Sequence, residues 1–308
     1  MKKLIGKLIV FLLPIVLVFV FIECFYRVVP NNYSFKNENV QKRYETTEVL
    51  ILGNSHTFYG LNPFFFDKPT FNLSNISQSL YFDQLLFEKH LDKFKKLKCV
   101  ILNIEYTSLS QLKDTGEDSW RKYYYKSYMD LDVPIISKFD YGNYFVSSKR
   151  PFNKNIKLVD RYFSEGTLTD CDANGFGTNY TKEKRFLNID ELAANTIKRH
   201  EDNLLDFSEN ISVVESIIHQ CKEKGIEVIL VTMPVSRAYS KRVNRFKLNR
   251  IIKTAQLFEK KNLNVRYLNL FTDSRFTNDD FYDPDHLHTK GAEKCSLIVN
   301  TFKKKCNL

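Results

Sequence analysis

Hydrophobic and polar positions divide the chain into three regimes. In the first, Lys2, Lys3 and Lys7 precede an apolar run over 8–22, extended by Cys24, Phe25 and Tyr26. About 19 such residues, at a rise of about 1.5 Å each, reach roughly the 30 Å of a bilayer's hydrocarbon. Lysines before the run and only Arg27 directly after it predict a cytoplasmic N-terminus, with the remainder outside the membrane. The bulky stretch Phe21-Ile22-Glu23-Cys24-Phe25 offers no small-x-small cleavage site, and Glu23 stands where a lipid-bearing cysteine needs a small neighbour. Residues 1–30 therefore read as an uncleaved signal anchor, and the polar, aperiodic stretch 31–47 as a linker.

The second regime alternates short apolar runs with helical periods. Residues 48–53 form an apolar run ending in a turn, hence a buried parallel strand, and 70–74 form a weaker one. Leu80, Phe82, Leu85, Leu86 and Leu91 recur at helical spacing over 79–94, and 99–104 is a third strand, Val-Ile-Leu-rich and so central. After a gap the alternation resumes. A helix over 203–223 is closed by Gly225. It is followed by a strand over 226–232, a helix over 243–260, a strand over 265–271 and a last helix over 289–304. Five strands with intervening helices predict a doubly wound α/β domain over 48–308.

The third regime is the gap. Residues 107–202 carry Tyr123, Tyr124, Tyr125, Tyr128, Tyr141 and Tyr144, together with Gly175-Phe176-Gly177, and show little regular period. That is too long for a loop and reads as an insertion or cap over the C-terminal edge of the sheet. Its aromatics fit two readings, the lining of a sugar cleft or a small core of their own.

Composition narrows the class. The net charge is +10, but the basic residues are scattered in short runs and no nucleic-acid reader motif accompanies them, so no nucleic-acid partner is expected. The charge suits an anionic glycan or membrane surface equally well. Six cysteines include no CxxC pair, which disfavours zinc ribbons and thioredoxin-like chemistry. Buried free thiols are expected, with a Cys295–Cys306 bridge left open. No metal or cofactor is expected.

The candidate chemistry sits in two short motifs. Gly53-Asn54-Ser55-His56 places a serine just past the end of the first strand, where open α/β sheets bind ligands. A helix N-cap is the plain alternative for such a serine. Asp283 and His286, three apart, supply an acid and a base from one loop, with Lys290-Gly291-Ala292 beyond. A serine, a histidine that takes its proton and a carboxylate that orients the imidazole make an acyl-transfer nucleophile. Asp285 and His288 repeat the spacing, but His288 adjoins the expected helix start and reads as a capping or surface residue. The His56 side chain is expected to diverge from Ser55. The Gly-x-Ser-x-Gly elbow of α/β-hydrolases is absent, since position 57 is Thr.

Gly53-Asn54-Ser55-His56, Asn72-Leu73-Ser74-Asn75 and Asp283-x-x-His286-Leu287-x-x-x-Gly291 together resemble the SGNH (GDSL-like) hydrolase superfamily, in particular its bacterial membrane-anchored members. The resemblance covers 48–106 and 205–304 and leaves the insertion unmatched. It implies a flavodoxin-like three-layer α/β/α sandwich, and it selects Asp283 and His286 over Asp285 and His288. It also implies ester hydrolysis or O-acyl transfer through an acyl-serine on an acylated carbohydrate or lipid. The chain departs from the family pattern at several points. The usual Gly-Asp-Ser is Gly53-Asn54-Ser55, the second-block glycine has no clear counterpart, and the third-block Gly-x-Asn-Asp is missing. An oxyanion hole is then expected from the Ser55 N–H and the Asn75 amide, with Gly53 and Asn54 also at the substrate site and Asn103 a structural residue. The expected function is a serine esterase or O-acyltransferase acting on an O-acetylated glycan outside a bacterial cytoplasmic membrane. The competing expectation is a weakened relative that binds glycan without turnover.

Overall fold

The computed structural model describes residues 1–111 and 118–306. In chain order its regular elements begin with α1 (Lys2–Val28), α2 (Asn32–Gln41), β1 (Val49–Leu52), α3 (Ser55–Gly60), β2 (Thr70–Asn72), α4 (Leu80–Leu91) and β3 (Cys99–Asn103). They continue with α5 (Arg121–Met129), α6 (Phe152–Glu165), α7 (Ile189–His200), α8 (Ser208–Glu223), β4 (Glu227–Thr232), α9 (Arg237–Ser240), α10 (Arg245–Lys261), β5 (Val265–Asn269) and α11 (Thr289–Lys305). Met1–Asn37 with Gly116–Thr169 forms one compact unit, and Glu38–Thr115 with Asp170–Leu308 the other. The stretch read as one insertion is thus shared: residues 118–169 belong to the first unit and 170–202 to the second, while 112–117 lie outside the described residues.

The second unit is an α/β domain built on five parallel strands in the order β2-β1-β3-β4-β5. Its inner strands read as unbroken apolar runs because both faces are covered. Every residue of β1 and β3 is buried, whereas β5, at the edge, buries only Val265 fully. Val49, Ile51, Cys99, Ile101, Ile229 and Val231 share one core with Ala193 of α7 and Cys295 and Val299 of α11. Alternate residues Leu50, Val100, Leu102 and Leu230 point to the opposite face and are fully buried there. Truncating one of them to alanine costs about 2–5 kcal/mol.

The first unit gathers around the last turns of α1. Ile22, Glu23, Phe25 and Tyr26 are buried there. The Tyr26 hydroxyl donates to Asn155 Oδ1 at 2.7 Å, and the Phe25 and Tyr162 rings meet edge to face at 5.4 Å. The Glu23 carboxylate accepts from the backbone N–H groups of Val146 and Ser147. Tyr33 packs edge to face on Tyr124 and Tyr125. Tyr123, Tyr124 and Tyr125 are therefore part of a small core, and Tyr141 and Tyr144 are exposed.

Two local expectations differ from what forms. Within the stretch read as a linker, Asn32–Gln41 is a helix with Tyr33 and Val40 buried. The stretch read as lacking a period contains α5, α6 and α7. In α2 the buried face includes the polar residues Asn32, Lys36 and Asn39, which hides the apolar period. All six cysteines are free, with Cys99, Cys171, Cys221 and Cys295 buried, so Cys295 and Cys306 are not bridged.

Candidate active site

The geometry starts at the carboxyl end of β1. Gly53 leaves the strand at φ +131°, and a Cβ there would lie 2.5 Å from Asn103 Cβ and 2.7 Å from Thr57 Oγ1. Only glycine fits that exit. The Gly53 N–H donates to Asp83 Oδ1 at 2.8 Å, and Gln78 Nε2 donates to the same oxygen at 2.6 Å. Burial nevertheless pushes the Asp83 carboxyl up to about 7, the two hydrogen bonds only partly offsetting it. Asn54 caps α3, its Oδ1 accepting from His56 N at 3.0 Å, so Ser55 becomes the first helical residue. Asn72 holds the far end of α3 by donating to the carbonyls of Thr57 and Leu61.

The acid and base arrive on a tight loop closed by a bridge between Phe281 and Leu287. Asp283 Oδ1 accepts from the backbone N–H of both Asp285 and His286, so the carboxylate is fixed before it meets the imidazole. His286 Nδ1 lies 3.0 Å from each carboxylate oxygen of Asp283 and therefore carries the proton that it donates. In the neutral ring Nε2 is then the acceptor, 2.8 Å from Ser55 Oγ, which donates to it. Burial alone would push His286 down, but the charges of Asp283 and Asp285 outweigh it and hold the imidazole up at about 9. The three residues expected from the sequence are thus brought into one hydrogen-bonded chain. His288 stands apart: its Nδ1 accepts from Lys290 N and Gly291 N, capping α11.

A second chain, not anticipated from the sequence, lies against the first. His56 turns away from Ser55, its Nε2 2.9 Å from Asp285 Oδ2 and its Nδ1 in contact with Glu105 Oε2, and all three residues are buried. Burial lowers His56 against the pull of Asp285, whereas the charge of His286 and the hydrogen bond from His56 keep Asp285 ionised despite its burial. Asp285 Oδ2 also stands 3.6 Å from His286 Nδ1 and 4.0 Å from His200 Nδ1. Burial holds His200 down at about 4, and its Nδ1 meets the Tyr239 hydroxyl at 2.9 Å. The only sequence signal for this chain is an acid two residues beyond the end of β3 and a histidine beside the serine. His56, Asp285 and His286 bring possible metal-ligand atoms within 4.8 Å of one another, and hydrogen bonds within the two chains engage those atoms.

The expected substrate-binding residues divide in two. Asn54 is turned inward, its Nδ2 donating to Glu105 Oε1 and its Oδ1 accepting from Asn103 Nδ2 at 2.9 Å. The Gly53 N–H is taken by Asp83. Both therefore build the turn, because the Gly53 N–H and both side-chain polar atoms of Asn54 are already bonded. Asn75 differs. Its N–H donates to Gly53 O at 3.2 Å and its Oδ1 accepts from Ile76 N, while its buried Nδ2 has no partner among the described residues. An unmet buried donor beside the serine loop is the feature an oxyanion site requires.

Aromatic rings frame the histidine. Tyr59, Tyr180 and Tyr282 stack in a column at centroid spacings of 3.7 and 3.8 Å, and Tyr59 and Tyr180 present their edges to His286. Gly177 lets the backbone lie on Tyr59, since a Cβ there would come within 2.5 Å of the ring.

No family model and no curated protein matches the chain. Similar solved structures include a chain from Streptococcus pneumoniae provisionally described as a platelet activating factor (13% identity, TM-score 0.40, covering 87% of this chain and 92% of that one). Another is provisionally described as an acylhydrolase from Bacteroides fragilis (13% identity, TM-score 0.40, covering 87% and 94%). A third is a GDSL-like lipase from Bacteroides thetaiotaomicron (13% identity, TM-score 0.38, covering 89% and 98%). At these identities and TM-scores the likeness decides nothing, and function has to be read from the residues themselves.

Proposed function

We propose that the chain is an SGNH-type serine esterase or O-acyltransferase, and the hydrogen-bonded chain Ser55–His286–Asp283 is the observation that carries this reading. Ser55 Oγ attacks the acyl carbonyl as His286 Nε2 takes its proton, and Asp283 holds the imidazole tautomer and stabilises the imidazolium. The Ser55 N–H and Asn75 Nδ2 receive the negative charge that develops on the carbonyl oxygen. Collapse expels the alcohol, which takes its proton from His286, and leaves an acyl-serine. Water or a sugar hydroxyl, deprotonated by the same nitrogen, then releases the acyl group. The acceptor decides whether the outcome is hydrolysis or transfer.

The proposed substrate is an O-acetylated glycan outside the cytoplasmic membrane of a bacterium. In support of that location, α1 is long and apolar enough to cross a bilayer, and its lysines lie before the apolar run. The test uses the full chain in detergent with a small acetyl ester and a serine-directed fluorophosphonate. Labelling that disappears in Ser55→Ala, together with ester turnover, is the expected result. Labelling that persists in Ser55→Ala would overturn the assignment. Glycan binding without any acyl-enzyme would favour a binding protein.

A further inference from the structure

The first unit carries an apolar surface whose position on α1 identifies what covers it. From Leu8 to Phe21 the large side chains of α1 are exposed, and beyond them Ile22, Phe25 and Tyr26 are buried. The helix therefore leaves the folded unit between Phe21 and Ile22. Beside that exit, a groove of about 520 Å³ is lined by Pro14, Val18 and Ile22 on one side and by Ser148, Arg150 and Phe152 on the other. Pro14 precedes Ile22 by about two helical turns, roughly 12 Å at the α-helical rise. Phe152 thus lies alongside the very part of α1 proposed to cross the membrane. The Phe145 ring, also exposed, packs on Phe19 at 5.5 Å.

The faces of α6 continue this surface. Asn155 and Tyr162 turn inward to Tyr26 and Phe25 of α1. Phe152, Ile156, Val159 and Phe163 fall at i, i+4, i+7 and i+11 on another face, with Phe152, Ile156 and Phe163 exposed by 62%, 45% and 73%. Lys154, Lys157 and Arg161 occupy the side opposite that stripe. Just before α6, Phe139 is 96% exposed. An apolar stripe backed by a basic face is the pattern of a helix lying in a membrane interface. So many exposed aromatics on one small unit are otherwise a liability in water.

We infer that α6 and the aromatic stretch before it form an interfacial collar. The Phe152–Ile156–Val159–Phe163 stripe enters the headgroup–acyl boundary of the leaflet in which α1 meets the first unit, and the lysine face stays in water. The inference rests on α1 as the membrane span. It makes the attachment two-part, and it fixes the tilt of the first unit against the bilayer, which a single helix leaves free.

The test places the full chain in lipid nanodiscs of phosphatidylcholine and phosphatidylglycerol, with or without phosphatidylcholine brominated near the glycerol end of its acyl chains. Trp120 is the sole native tryptophan and supplies a constant background. Ile156→Trp and Phe163→Trp report on the stripe, and Phe11→Trp reports on α1. The expected result is that brominated lipid abolishes the added emission of both α6 variants, which is blue-shifted and resists aqueous acrylamide. If only Phe11→Trp responds to bromine and the α6 tryptophans respond to acrylamide, the collar is wrong and the span stands. If Phe11→Trp itself responds to acrylamide alone, the span fails and the collar with it. If the α6 tryptophans respond to neither quencher, a protein surface covers the stripe and the inference falls.

Discussion

Nε2 of His56 stands 2.9 Å from Oδ2 of Asp285, which joins residues 229 positions apart into a buried pair next to the Ser55–His286 hydrogen bond. The imidazole lies between two buried acids, Glu105 and Asp285. His56→Ala would take one partner from Asp285 and one neighbour from Glu105, and a buried acceptor that loses its partner costs about 1–3 kcal/mol. The midpoint of thermal unfolding should fall accordingly. His56→Gln keeps one donor and should fall less. An unchanged midpoint in His56→Ala would mean that the chain of acids is not held together by this ring.

The acid limb of the pH–rate profile should lie above neutrality. His286 works as a base only when deprotonated, and the charges of Asp283 and Asp285 overcome the effect of burial to hold it at about 9. If Ser55 and His286 act as proposed, raising the pH frees the base, and kcat/KM for a small acetyl ester should climb until about that pH. Asp285→Asn removes one of the two raising charges, so the limb should move to lower pH while Ser55 still labels. A limb that stays in place would remove Asp285 from the electrostatics of the site.

Asp283→Asn should act differently from Asp285→Asn. The amide keeps the loop's acceptor oxygen but can hold the imidazole in the wrong tautomer, and the loss in kcat for such a change is about 10⁴-fold. Near-normal turnover in this variant, measured on the same ester, would show that another group orients His286.

Asn75→Ala separates an oxyanion donor from a scaffold residue. Loss of one such donor lowers kcat by about 100- to 1,000-fold with KM little changed. A fall in unfolding temperature with kcat preserved would instead assign Asn75 to the turn.

Gly53→Ala should abolish activity in a chain that still expresses, because its Cβ would collide with Asn103 at the base of the serine turn. At Asp83, loss of the acceptor for the Gly53 N–H in Asp83→Ala should cost about 1–3 kcal/mol. Asp83→Asn retains an acceptor and should cost less. Chemical denaturation of the two variants compares them directly.

The strands were legible because apolar runs report burial on both faces, which is a property of each segment alone. The serine loop and the Asp283–His286 pair were legible because each depends on neighbours within a few residues. The α6 helix was passed over although its apolar residues recur at helical spacing, because that stripe faces away from α1 and joins no core of the α/β alternation. Asn54 was misplaced for a related reason. Its type allows substrate contact, but Glu105 and Asn103 use up its hydrogen bonds.

By itself, then, the amino-acid order determined the apolar N-terminal helix, the alternation of strands and helices, and a serine, a histidine and an aspartate as candidates for a nucleophile, a base and an acid. The strand order and the fold of the 282–289 loop decided which of two acids faces each histidine. Tyr180, from the long gap in the pattern, is held beside His286 by stacking on Tyr59 and Tyr282 and by the Thr289 N–H, which donates to its carbonyl. Residue type limits the bonds that a side chain can make. Which partner stands about 3 Å away depends on segments far apart in the chain, and only their packing brings them together.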